Sequence, residues 1–198
     1  MAKILTRGQE LLVKKLADMS QDTQAAYEAG EAQMIDSAYF KRMDITGKSN
    51  SVELLDNDDA RVDGVTNISK QKINQGENLA VERIGIRLAS IVADTVTDGT
   101  AIYKPVAEST DGAAVNCEIE LRIAQKRVFR GPISLFNEEK ENGGAKMWYT
   151  LKAPKLITDQ DEIDARLYVP KGAAIDSTSS KKSFIELILE GPVLNSKR

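Results

Sequence analysis

Two hydrophobic periods divide this 198-residue chain, and they limit its fold more than any other feature. Up to residue 43 the apolar side chains recur at helical spacing. From residue 50 to 194 they alternate in short runs broken by Gly, Pro, Asn and Asp. This patterning predicts a helical N-terminal segment, residues 1–48, followed by a β domain, residues 49–198.

In the first segment, Thr6 and Gln9 fit a capping box, in which two side chains satisfy backbone donors at a helix start. Leu5, Leu12, Leu16 and Met19 share one face of the helix that follows, with Lys14, Lys15 and Asp18 mostly off it. Ser20 with Asp22 can cap a second helix running to about Met43. Its stripe is Ala25, Ala29, Ala32, Ile35, Tyr39 and Met43. Gly30 interrupts that helix at a cost of roughly 1 kcal/mol against alanine. The alanines make the stripe thin enough for another backbone to approach closely. Both helices then either cover one edge of the β domain or form an arm that reaches a neighbouring subunit, with the stripe as its contact surface.

The β domain is clearest around Cys117. Val115, Cys117, Ile119, Leu121 and Ile123 alternate with Asn116, Glu118, Glu120 and Arg122, the pattern of a half-buried strand. Ile163 to Val169 alternates in the same way, and Met147, Tyr149 and Leu151 make a third run. Phe184–Leu189 is apolar on both faces except at Glu186, which predicts a strand near the centre of a sheet. Leu79 and Val81 follow one parity, and Ile84, Ile86 and Leu88 the other. One extra residue near Glu82–Arg83, a β-bulge, accounts for the slip. Asn137–Gly144 reads as a hairpin loop and Lys171–Lys182 as a small-residue loop. The pairs Gly131-Pro132 and Gly191-Pro192 read as strand ends or edge bends, because proline cannot donate to a ladder. Weaker runs at 52–55, 100–106 and 128–136 bring the count to about eight strands. The expected fold is mainly β: an antiparallel jelly-roll or Greek-key sandwich behind an α-helical N-terminal segment.

Composition then narrows the chemistry. The chain contains no histidine, which removes the commonest general base and metal ligand together. Cys117 is the single cysteine and sits on the apolar parity of its strand, as a small core residue would. There is no phosphate-cradling glycine motif. Asp56, Asp58, Asp59 and Asp63 surround one turn, and Asp159, Asp161, Glu162 and Asp164 precede a strand. Neither matches a calcium loop, so both read as solvated turns and no metal or cofactor is expected. Arg122, Lys126, Arg127 and Arg130, with Phe129 among them, form the densest basic run. The net charge of −3 argues for a polar strand face or subunit contact there and against sequence-specific nucleic-acid binding. Trp148, Tyr149, Tyr103 and Tyr168 are the aromatics that a sugar-stacking platform would need. With aromatics at 5% of the chain, and Tyr149 on the parity of Met147 and Leu151, core packing is the simpler reading. The N-terminus lacks the apolar run of a signal peptide, and no stretch approaches the roughly 20 apolar residues of a membrane span.

The order of a helical lead-in, about eight strands and the segment Phe184-Ile-Glu-Leu-Ile-Leu-Glu-Gly-Pro-Val resembles single jelly-roll capsid proteins of small icosahedral viruses and bacteriophages. The resemblance lies in pattern, and no functional residue is carried over from the family. It implies a structural virion protein, a non-enzymatic shell subunit that binds copies of itself and other virion proteins and is made in the host cytoplasm. Residues 1–16 carry Lys3, Arg7, Lys14 and Lys15 against Glu10, too mild a charge for a genome-binding arm. The competing expectations are a sandwich that binds a carbohydrate or protein through its loops, and a capsid-decorating or head-accessory protein.

Overall fold

A computed structural model describes residues 5–92, 95–109, 112–137, 147–176 and 181–196. Helices α1 (Arg7–Lys14) and α2 (Gln21–Glu28) lead into strands β1 (Gln33–Asp44), β2 (Ser51–Glu53), β3 (Glu77–Ile91) and β4 (Lys104–Pro105). A single turn of helix, α3 (Gly112–Val115), precedes β5 (Glu118–Ile123), β6 (Lys126–Pro132), β7 (Trp148–Ile157), β8 (Ile163–Tyr168) and β9 (Lys182–Asn195). The protein is mainly β, with antiparallel sheets arranged as a sandwich. One sheet runs β1-β9-β3, with β7 and then β4 pairing along the outer side of β3; the other runs β2-β8-β5-β6.

The inward-facing residues of the two sheets form one core. It includes Tyr39, Ile84, Ile86, Leu88, Cys117, Ile119, Leu121, Ile163, Ala165, Leu167, Ile185, Leu187 and Leu189, all buried. The alternation read from sequence is thus the alternation of burial, complete along β8 from Ile163 to Val169. β5 starts later than its pattern implied, because Gly112–Val115 takes up a helical turn and Cys117 lies between that turn and the strand. Its thiol donates to the Ala113 carbonyl at 3.2 Å. β9 is central, hydrogen-bonded to β1 on one side and β3 on the other, as its two-faced apolar pattern predicted.

The bulge also lies where the parity slipped: the register of β3 shifts between Val81 and Arg83 against β7, and between Leu79 and Arg83 against β9. It corrects one reading. Pro132 does end β6, but Pro192 lies inside central β9, opposite Asp36 of β1. The irregular stretch of β3 runs past Gly191-Pro192, so the ladder there is already interrupted and the missing N–H costs no regular bond.

A larger correction concerns the second helix. It starts as expected, with the Ser20 hydroxyl accepting the Thr23 N–H, but it ends at Glu28 instead of continuing to Met43. Gly30 takes φ +71°, a left-handed conformation that terminates a helix at little steric cost. Residues 33–44 then pair with β9 through twelve matched positions. Met34-Ile-Asp-Ser-Ala-Tyr-Phe is rich enough in aromatic and branched side chains to make a strand once a partner edge is available. The boundary at 48 therefore does not separate helices from strands.

The helices lie against the outer face of the β1-β9-β3 sheet. The Thr6–Gln9 capping box forms, and Leu12 and Met19 bury themselves with Ala80 and Leu194 in a second small cluster. Gly8 is needed at this contact. A Cβ there would lie 2.6 Å from Glu82 Oε1 and 2.7 Å from the Pro192 ring, and the Gly8 N–H donates to Glu82 at 2.6 Å. The bulge thus aims a carboxylate at the start of α1.

Candidate functional site

The outer faces of both sheets carry buried carboxylates held by arginines. Glu186, in the centre of β9, is 1% exposed. Arg42 of β1 binds its Oε1 at 2.8 Å and Arg87 of β3 binds its Oε2. Register explains the grouping, since Arg42 and Arg87 are the cross-strand partners of Glu186 on its two sides. In the second sheet Glu120 is equally buried. Arg122 and Arg127 reach its Oε1, and Arg130 its Oε2 at 3.4 Å. Burial alone would push the Glu120 carboxyl up, but the hydrogen bond and charge of Arg122, followed by Arg127, hold it below the usual carboxylate range. A carboxylate kept ionised, with both oxygens engaged, makes a poor proton carrier near neutral pH. Both clusters act as anchors across their sheets.

The basic run read from sequence is therefore largely the counter-charge of Glu120 and of Glu118, to which Arg130 also binds at 3.2 Å. Nothing in the sequence announced the buried Glu120, because it occupies an outward position of its strand. The acidic turns have internal roles. Asp59 pairs with Lys41 and accepts the Asp56 N–H, and Asp56 accepts the Asp58 N–H. Asp159 accepts the Gly76 N–H at 2.8 Å, and Asp161 accepts from Thr158. Among the described residues, no group of three metal-ligating side chains is arranged around a cation site.

The four aromatics do not form a platform. Tyr149 packs on Phe129, with ring centroids 4.6 Å apart. Trp148 lies over Gly85 beside Arg83, Tyr103 over Arg42, and Tyr168 under Arg130. The proposed contact stripe is dispersed as well. Ala25, Ala29 and Ile35 are exposed, Ala32 leans on the helix cluster, and Met43 leans on the main core. Tyr39 is 2% exposed, and its hydroxyl is bound to Glu77, so it is a core residue and not a surface contact. Burial first, then that bond, push the Tyr39 phenol far above its ordinary pKa. Along β1 a spacing of four keeps one face, so Tyr39 and Met43 both turn to the core, whereas Ala25 and Ala29 lie on α2 and its C-cap, before the strand begins. The hairpin loop expected at 137–144 lies almost wholly outside the described residues, as do 177–180 of the small-residue loop.

Two surface features lie on opposite sides of the sandwich. Where edge strands β6 and β7 meet, Val128, Phe129, Tyr149, Leu151, Lys152, Ala153 and Lys155 line a groove of about 260 Å³. Strand β7 departs from its partner there: Thr150 pairs with Arg83 and Lys155 with Val81, so β7 has three more residues than β3 in that interval. This pushes Lys152 and Ala153 outward. On the β1 side, the segment after β2 folds back in a tight turn at Val62-Asp63-Gly64-Val65. The Val62 N–H donates to the Thr66 carbonyl at 3.1 Å, and the Val65 N–H to the Val62 carbonyl at 3.0 Å. Arg42 fastens the turn to β1, its backbone N–H reaching the Val65 carbonyl at 2.8 Å and its side chain the Gly64 carbonyl at 2.7 Å. Val62, at the turn, is 50% exposed. Comparison with protein families and with characterised proteins finds no match for the chain.

Proposed function

We propose that this protein is a non-enzymatic structural subunit with a jelly-roll fold, one that assembles with copies of itself into a virion shell. The observation carrying the reading is the pairing order. A jelly roll is a long antiparallel ribbon rolled up on itself, so its first strand pairs with its last, its second with its seventh, and so inward to the tip. With the two-residue β4 set aside, eight strands remain. Their pairings β1–β9, β2–β8, β3–β7 and β5–β6 follow that rule at each step. The wrapping contacts β3–β9 and β5–β8 then close the two four-strand layers. A helical lead-in packed on one sheet is compatible with such a subunit, and the exposed Ala25, Ala29 and Ile35 remain open to a neighbour.

Fold alone does not assign function, so support also comes from what the surface offers. Its buried charges are anchored, Trp148, Tyr103 and Tyr168 each lie against a different arginine while Tyr149 packs with Phe129 and Phe136, and both sides of the sandwich present edges. Electron microscopy and light scattering on the purified protein test the reading. Closed particles of uniform size support a shell. A monomer with a ligand-binding loop would favour the binding-module alternative, and attachment only to preformed particles would favour a decorating role.

A further inference from the structure

Resting on the shell reading, we infer that the groove between β6 and β7 receives the Arg61–Thr66 turn of a second copy, giving a head-to-tail contact between subunits. The two features complement each other in apolar character and charge. The groove has an apolar floor of Val128, Phe129, Tyr149 and Leu151, with Lys152 and Lys155 exposed along it. No described carboxylate forms an ion pair with either lysine. The turn presents an exposed valine, Val62, next to the exposed Asp63 and a few residues after the exposed Asp56 and Asp58. Arg61 is the one cation in 56–65, and Arg42 of β1 reaches the turn at Gly64 with its charge shared by Glu186. An apolar knob flanked by acids thus matches an apolar slot flanked by lysines.

Rigidity and placement add to the match. The turn is already closed by its own hydrogen bonds and fastened by Arg42, so docking would order little further chain. Knob and slot lie on opposite sides of one sandwich, since the turn bridges to β1 at Lys41–Thr66 while β6 and β7 end their sheets at the other side. A subunit carrying both halves of a contact on opposite sides cannot satisfy both in an isologous pair. It forms rings or larger assemblies. A polyanion such as single-stranded nucleic acid is the competing occupant of a lysine-edged groove. It needs exposed ring faces for stacking, whereas Phe129 is 7% exposed and packed against both Tyr149 and Phe136, and the half-buried Tyr149 is itself packed against those two rings.

Charge reversal on the full-length protein tests this. The variants are Lys152→Glu/Lys155→Glu in the slot and Asp58→Lys/Asp63→Lys at the knob. Each alone should raise the concentration needed for assembly at least ten-fold, with an unchanged circular dichroism spectrum. Mixed in equal amounts, the two should co-assemble, because each supplies the charge that the other lacks. If the parent assembles and either variant assembles equally well, or the mixture fails to recover, the docking inference falls while the shell reading stands. A parent that stays monomeric refutes the shell reading and the contact with it. A slot variant that assembles normally but melts at lower temperature means the groove is filled from its own chain. One that assembles normally but no longer binds fluorescent single-stranded DNA means a nucleic-acid surface. Either result overturns the contact.

Discussion

Replacing Gly191 with alanine probes the junction on which the architecture turns. A Cβ at Gly191 would lie 3.0 Å from the Ala80 carbonyl carbon and 3.1 Å from the Glu82 nitrogen, and far inside van der Waals contact with the Ala80 oxygen. All three atoms are backbone, so no side chain can swing away. Nor can the strand retreat, because Gly191 also pairs with Ser37 of β1 on its other side. Overpacking costs roughly 1–3 kcal/mol where neighbours can adjust, and more where they cannot. We therefore expect about 3 kcal/mol. For a chain of this length that corresponds to a drop in melting temperature of about 6–12 °C. Differential scanning calorimetry reads it directly. Gly112→Ala is the control: a Cβ there meets nothing within 4 Å and the residue sits in a helical turn, so its melting temperature should hold or rise slightly. If Gly191→Ala melts within a degree of the parent, the close approach of β3 to β9 at the bulge is wrong.

Three further outcomes follow from the packing and the charges. Leu121→Ala, in a fully packed site of β5, should lose roughly 2–5 kcal/mol in denaturant titration; an unchanged midpoint would place Leu121 outside the core. Glu120→Gln should be less stable than the parent at neutral pH. Because the folded carboxyl titrates below its unfolded value, the parent's advantage is complete above the ordinary carboxylate range and lost as pH falls through the depressed one. Urea midpoints that differ by the same amount at pH 7 and pH 3 would contradict the arginine clamp. Deleting residues 1–30 should leave a β-rich circular dichroism spectrum, whereas deleting 1–45 also removes β1 and its twelve pairings to β9 and should abolish the soluble fold. Equal behaviour of the two truncations would refute the assignment of 33–44 to the sheet.

The strands that the sequence revealed are those with one wet face or two dry ones. Ile163–Val169 shows its alternation because nothing else constrains it, and Phe184–Leu189 shows its central place because both faces are covered. The bulge was legible because a one-residue insertion inverts parity. Residues 33–44 misled because Tyr39 and Met43, which turn toward the core, also continue a helical spacing from Ala25 and Ala29. Only the long-range pairing to β9 decides between the two, and no local pattern contains it. Glu120 was hidden for a related reason. It is a polar residue at an ordinary outward position, buried where Arg122 of its own strand and Arg127 and Arg130 of β6 close over it, whereas Glu186 stood out as the one polar residue of a strand covered on both faces. The groove and the turn depend on which strands end each sheet, which is a property of topology and not of any segment. Lys152 and Lys155 carry no signal of their own beside Val128 and Phe129, more than twenty residues earlier in the chain.

The central claim is assembly, and mass measured in solution tests it most directly. Multi-angle light scattering on the eluting full-length protein, across a hundred-fold range of concentration at low salt, should show a discrete species many times the 21.7 kDa of one chain. That species should dissociate as salt rises and screens the proposed lysine–aspartate contact. A single 21.7 kDa species at every concentration and salt would contradict the account.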